Sequence, residues 1–281
     1  MRRNDVFKVY ETLRIGVLYL VIGILIVSFF VPVVWGVLCA FKPPGELFTY
    51  PPTFIPRNPT LNNFTTALSD GNFGIYFRNT IFVTVVATIL TLMLNVSAGY
   101  VFAKYTFRFQ KLFFALILST IMVPLEVVMV PLFTIARALG LFDNIWGLII
   151  PAIASPTSIF LVRQYYRSVP NEFIDASRID GASETSIFLR VMVPMAAPVI
   201  AVLCILSFMW RWNDFLWPKL ILQSRENFVI QLALQYFSGE TSINWSAILS
   251  MSALAMLPMV IMFLVFQKHI IGGITAGGVK G

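Results

Sequence analysis

A chain of 281 residues that is 58% hydrophobic and only 12% charged, with a mean hydropathy of +0.83, carries more apolar surface than a soluble core of this size can bury. A soluble globular domain is excluded, and lipid must be the solvent for much of the chain. The net charge of +7 does not indicate nucleic acid, because Lys and Arg flank apolar runs instead of forming a basic stripe.

A helix needs about 20 apolar residues to cross a bilayer. Six stretches meet that requirement: residues 15–40, 81–102, 112–135, 145–162, 195–216 and 247–266. The first follows a short basic N-terminus (1–14); it is longer than a signal-peptide core and lacks a small-x-small cleavage site, so it is expected to be a retained span. Six spans put both termini on one side, and most of the 20 Lys and Arg residues fall on that side, which places both termini in the cytoplasm. The external stretch 41–79 is rich in Pro, Asn and Thr and is expected to form a capping loop with short helical pieces. The external stretch 217–246 mixes aromatic and polar residues. Cys39 and Cys204 sit in different spans and are read as small core residues, not a disulfide.

The third stretch contains Pro124, Glu126 and Pro131, and the fourth contains Pro151, Ser155, Pro156, Thr157 and Ser158. Such residues are tolerated where helices bury one another or line a wet cavity. The expectation is therefore an all-α integral membrane bundle around a solute path. No internal repeat is visible, which weighs against an inverted-repeat secondary transporter.

The longest cytoplasmic stretch, 163–193, is the most informative. Ser168 and Pro170 supply a helix start. Phe173, Ala176 and Ile179 share one face, and Gly181 is placed to end the helix in a left-handed turn. Ser183 followed by Glu184 starts a second helix towards Pro194 and the fifth span. A short amphipathic helix held away from the membrane suits docking in a partner's groove.

Asp175-Ala176-Ser177, then Gly181, then Val191-Met192-Val193-Pro194 after nine residues resembles the cytoplasmic loop of ABC-importer membrane subunits: Glu-Ala-Ala, three residues, Gly, nine residues, Ile-x-Leu-Pro. The spacing is kept, with Asp for Glu, Ser for the second Ala, and Val for Ile and Leu. Phe41-Lys42 with Tyr50-Pro51-Pro52, the stretch 147–151, the run from Trp212 to Pro218 and the glycine-rich tail 272–281 resemble the carbohydrate-importer branch, typified by the second membrane subunit of the maltose transporter. The resemblance implies a type I importer permease fold with six transmembrane helices in a prokaryotic cytoplasmic (inner) membrane, forming half of the pathway for a sugar or related solute. It also implies a coupling helix over 171–184 seated in a cleft of an ATPase. There Asp175 would be the acidic contact, Ala176 the close-packing residue and Gly181 the turn, with Ser177 and Pro194 completing the motif. The implied partners are a second homologous permease, two ATPase subunits or a homodimer, and an extracytoplasmic solute-binding protein. ATP and Mg would bind the ATPases and no cofactor would bind this chain. The competing reading is that Asp175 merely pairs with Arg178 on its own helix, worth about a few tenths of a kcal/mol.

The candidates for the solute path are Glu126 and the group Trp212, Asn213 and Asp214. A charge inside a span costs at least about 2.5 kcal/mol, so Glu126 calls for a partner or a wet surface. Aromatics beside amides and carboxylates can bind a sugar, although Trp also anchors helices at the interface, and Asn213 and Asp214 would serve as caps where the fifth span breaks. His269 has no ligand-forming neighbours and is read as interfacial, with no metal site. The glycine-rich tail lacks the Gly-Lys-Ser/Thr of a phosphate loop. With no His-Glu-x-x-His and no nucleophile–base pair, no catalytic residues are expected.

Overall fold

A computed structural model describes residues 3–69, 72–239 and 243–278, with side chains for 10–69, 72–239 and 243–268. All regular structure among them is helical. The chain forms two compact units, one made of Met1–Gly71 with Phe237–Leu254 and the other of Asn72–Tyr236 with Ala255–Gly281.

In the first unit, α1 (Arg3–Ala40) is apolar on all sides from Ile15 onward, and none of its most hydrophobic window is buried. Such a helix belongs in lipid or against another membrane subunit. The following loop is self-capped around Glu46, whose carboxylate accepts hydrogen bonds from the Arg57 amide (2.7 Å), the Asn58 amide (3.4 Å) and Thr53 Oγ1 (3.1 Å). The Arg57 bond, against the opposing effect of burial, keeps this carboxyl below its ordinary pKa, with help from Asn58, Thr53 and the nearby Lys42 charge. Asn63, on α2 (Asn62–Ser69), donates to the carbonyls of Ala40 (2.9 Å) and Lys42 (2.7 Å) and so ties α2 to the end of α1.

The second unit starts with α3 (Phe73–Lys104), which begins well before the expected residue 81. The extra turns are stabilised by tertiary cover: Asn79 Nδ2 donates to the carbonyls of Glu226 (2.8 Å) and Phe228 (3.1 Å), and Thr80 Oγ1 accepts from the Ile230 amide. The third expected span is not one helix. It is α4 (Gln110–Ile121) and α5 (Leu125–Ala138), bent by 108°, because Pro124 lacks an amide N–H and disfavours helical geometry at Val123. The fourth is likewise broken, into α6 (Trp146–Ile149) with a 3₁₀ turn to Ala152, then α7 (Pro156–Ser168) at 42°, and it runs beyond residue 162. Next come α8 (Glu172–Ile179) and α9 (Glu184–Ile187), the latter continued by a π-helical turn Phe188–Met192 and α10 (Val193–Met195). A 76° bend leads into α11 (Ala197–Trp212). The remaining helices are α12 (Leu216–Ile221), α13 (Ile230–Ser238) and α14 (Trp245–Gly278). Among the described residues, three helices are long and apolar enough to cross a membrane, or six if each bent pair is one span.

The core of this unit joins α3, α7 and α11 with α9, through Val96, Tyr100, Val162, Tyr166, Ile187 and Leu203. A Cβ on Gly99 would stand 2.5 Å from Val162 Cγ1, so only glycine lets α3 and α7 approach this closely. Both cysteines are free. The glycine-rich tail is helical through Gly278; its last three residues, and the side chain of His269, lie outside the described residues.

The stretch after α12 is folded in, not a loose loop. Asp143, in the left-handed region at φ 52°, accepts bonds from the amides of Gln223 and Ser224 (2.9 Å each), from Ser224 Oγ and from Asn227 Nδ2. Burial opposes ionisation of this carboxyl, but the bonds from Ser224, Gln223 and Asn227 outweigh it and hold the pKa at about 2. Asp143→Ala leaves these donors without their acceptor and is expected to lower stability by about 1.5–3 kcal/mol, read as a drop in the melting temperature of the detergent-solubilised chain. Because the folded-state pKa is depressed, the contribution is present above the unfolded value near 4 and is lost as pH falls through about 2.

Candidate functional site: a docking helix fixed to the bundle

α8 starts at Glu172, after the turn at Pro170 and Asn171, rather than at Ser168, which closes α7 with its Oγ donating to the Tyr165 carbonyl (2.7 Å). Pro170 forces the break between the helices. At its other end α8 stops in a left-handed turn at Gly181 (φ +78°). There the Ala182 amide donates to Ser177 O and the Gly181 amide to Arg178 O, each at 3.0 Å, which is a Schellman closure. Ser183 then caps α9, its side chain accepting from the Ser186 amide at 3.3 Å.

One side of α8 is anchored and the other is open. Ile174 is buried in the core formed by α3, α7 and α9. Lys104, at the end of α3, donates to the Val169 carbonyl (2.5 Å) and to Asn171 Oδ1 (2.8 Å). Glu184 accepts from Arg178 Nε at 2.8 Å and from the Tyr105 hydroxyl. Burial and then the bond to Glu184 push the Tyr105 phenol above its ordinary pKa, and the bond to Glu184 raises that of Arg178. The phenol therefore stays a donor and the guanidinium stays charged. The helix is held at both ends against the C-terminal end of α3.

The opposite face presents Phe173, Ala176 and Ile179, with Phe173 47% and Ile179 86% exposed. Asp175 is also open: its side chain is 64% exposed and reaches Arg178 only at 3.5 Å, because that arginine is committed to Glu184. Ser177 is half-buried and donates back along its own helix to Phe173 O at 2.7 Å. Pro194 lies where the helix from Glu184 is about to bend. The Tyr166 and Tyr165 hydroxyls donate to the carbonyls of Met192 (3.1 Å) and Met195 (2.7 Å) around that bend, satisfying acceptors that an irregular helix exposes. The site thus brings together Asp175, Ala176, Ser177 and Gly181, and ties them through Ile187 and Met192 to Pro194 and α11.

The other sequence candidates are dispersed. Glu126 is exposed in the first turn of α5, directly after the break at Pro124. Asn213 ends α11 with Nδ2 donating to Met209 O (2.9 Å), and Asp214 Oδ1 accepts from the Trp217 amide (3.4 Å), so both cap the broken helix. Trp212 is packed inside its unit. It is 1% exposed, stacked on Phe208, edge-on to Phe77, and its indole N–H donates to Ala255 O at 3.0 Å. Sequence reading missed the Glu184–Tyr105–Arg178 junction, for which the only signal was an acid and a base six positions apart around Gly181. It also missed a buried polar stripe on α3, Thr80, Thr84, Thr88, Thr91 and Asn95, whose three-and-four spacing was visible.

Residues 95–275 match the family described as the binding-protein-dependent transport system inner membrane component. The arabinooligosaccharides transport system permease protein AraQ of Bacillus subtilis is 35% identical over the full length of both chains. Its counterpart in Halalkalibacterium halodurans is also 35% identical, covering 93% of this chain and 96% of that one. The sn-glycerol-3-phosphate transport system permease protein UgpE of Pectobacterium atrosepticum is 29% identical, covering 91% and 93%. Among solved structures, a crystal structure of a bacterial ABC transporter involved in the import of the acidic polysaccharide alginate has a chain with the same fold, at a TM-score of 0.84 and 24% identity over 95% of this chain and 98% of that one. The chain belongs to the inner-membrane components of binding-protein-dependent transport systems: it is a permease of the ABC importers, a multi-pass protein of the bacterial cytoplasmic membrane with the type I importer fold, and not itself an enzyme.

Proposed function

We propose that this chain forms half of the membrane pathway for a sugar or a related polar solute, and that α8 is the helix through which ATP hydrolysis on partner subunits drives it. The open face of Phe173, Ala176 and Ile179 beside a mostly solvated Asp175, on a helix fixed at both ends, carries this reading. A helix built to pass force needs a stiff mounting and a free docking face. Relatives named for arabinooligosaccharides and sn-glycerol-3-phosphate support a hydroxyl-rich solute. A second permease completes the pathway, two ATPase subunits or a homodimer bind ATP and Mg, and an extracytoplasmic binding protein delivers the solute. Each bent helix pair counts as one span, giving six, with the transmembrane domain over 15–281, a cytoplasmic N-terminus at 1–14 and a cytoplasmic C-terminus. Glu126 and Asn213, both exposed, are the residues offered to the solute path.

Topology is tested with single cysteines at Asn58 and Thr185, both exposed. A membrane-impermeant thiol reagent on intact cells is expected to label position 58 and spare 185. Labelling at 185 without 58 would invert the arrangement. In the same membranes, an ATP-hydrolysing subunit should co-purify with the tagged chain; its absence would leave a stand-alone transporter or channel.

A further inference from the structure

At the break in the fourth span, Asn95 and Arg211 take over backbone groups that the missing helical turn leaves free. Asn95 Nδ2 donates to Ile153 O (2.9 Å) and its Oδ1 accepts from the Ser155 amide (3.0 Å). Arg211 Nη2 donates to Ala152 O (2.5 Å) and Thr91 Oγ1 (2.6 Å). Two polar groups beside this clamp are buried and have no hydrogen-bond partner among the described residues: Arg211 Nε and Thr84 Oγ1. Both residues line one cavity of about 20 Å³ together with Thr80, Ala152 and Asp214. The Arg211 and Asp214 charges make no direct ion pair among the described residues.

A cavity that small holds one water molecule and no solute, and a water needs two to four polar partners, which this lining supplies. Charges that face a common cavity without touching are commonly joined through such a water, and an ionisable group at membrane depth calls for a named partner. We propose that a single bound water accepts from Arg211 Nε–H and donates to the Asp214 carboxylate and Thr84 Oγ1. The resulting charge pair acts as a positioning device, holding the broken fourth span against α3. α7 starts at this clamp and ends at α8, so the clamp fixes the far end of the lever that α8 moves. The positioning role rests on the docking assigned to α8; the water bridge does not.

Two measurements on the assembled transporter test the proposal. Pulsed radiolysis makes hydroxyl radicals from bound water in place, so side chains that are almost fully buried are labelled strongly where such a water lies beside them. Val83 and Leu148, which line the cavity and are 6% and 5% exposed, are expected to be labelled in the wild type and at least several-fold less in Arg211→Met. No labelling of either in the wild type means a dry cavity and overturns the water bridge, whatever α8 does. In proteoliposomes, Arg211→Met and Asp214→Asn are each expected to lower solute carried per ATP about tenfold while basal hydrolysis persists, and the double variant is expected to be no worse than the worse single one. Multiplying effects in the double variant, or an unchanged uptake ratio in Asp214→Asn, overturns the pair. If Arg211→Met fails to assemble, the wild-type labelling and the ratio in Asp214→Asn still decide.

Discussion

Gly181→Val is expected to abolish uptake by the assembled importer and to release the ATPase, while the chain still inserts in the membrane. Gly181 stands at φ +78° with open space where a Cβ would be, so the penalty arises in the backbone and not from crowding. A β-branched residue in the left-handed region is strained by about 1–3 kcal/mol. The closure escapes that strain by unwinding, which would break the bonds from Gly181 and Ala182 to Arg178 and Ser177 and swing α8 off its mounting. Asn enters this region far more readily, so Gly181→Asn should keep most uptake. Uptake in proteoliposomes and ATPase recovered with the tagged chain measure both. Equal loss in the two variants would mean that something other than backbone geometry is at work.

Asp175→Lys is the second large effect, and it separates docking from folding. Within this chain the carboxylate is mostly solvated and its contact with Arg178 is an exposed one, worth about 0–1 kcal/mol. The chain's own melting temperature should therefore barely move. At a desolvated contact with a basic group on an ATPase, replacing one partner costs about 3–5 kcal/mol, enough to lose the complex. An ATPase carrying the reversed charge should restore both binding and uptake. Retained ATPase and wild-type uptake in Asp175→Lys would make Asp175 a solvated surface residue.

The parts of this architecture that follow local rules were legible in the sequence. Hydropathy located six apolar stretches, Gly181 marked the left-handed stop and Ser183 the cap of α9, because each depends on a few neighbouring residues. The breaks were less legible. Pro124 and Pro156 signal that a helix is disturbed, but whether the chain bends by 108° or 42° depends on which distant groups receive the freed carbonyls and amides. Asn95 and Arg211 do this for the fourth span from 58 to 60 positions away. Tyr105 and Glu184 lie 79 positions apart, so no local pattern pairs them. Trp212 was ambiguous for a related reason: a tryptophan near a helix end fits an interface, a sugar site or a core equally well, and the packing of Phe77 and Phe208 around it comes from the fold.

Photo-cross-linking from the open face of α8 tests the central claim most directly. With a benzophenone amino acid in place of Phe173, irradiation of intact membranes is expected to join this chain to an ATP-hydrolysing subunit, and the adduct should vanish in the Gly181→Val background. Adducts with lipid alone, or an ATPase adduct that Gly181→Val leaves unchanged, would contradict the role assigned to this helix.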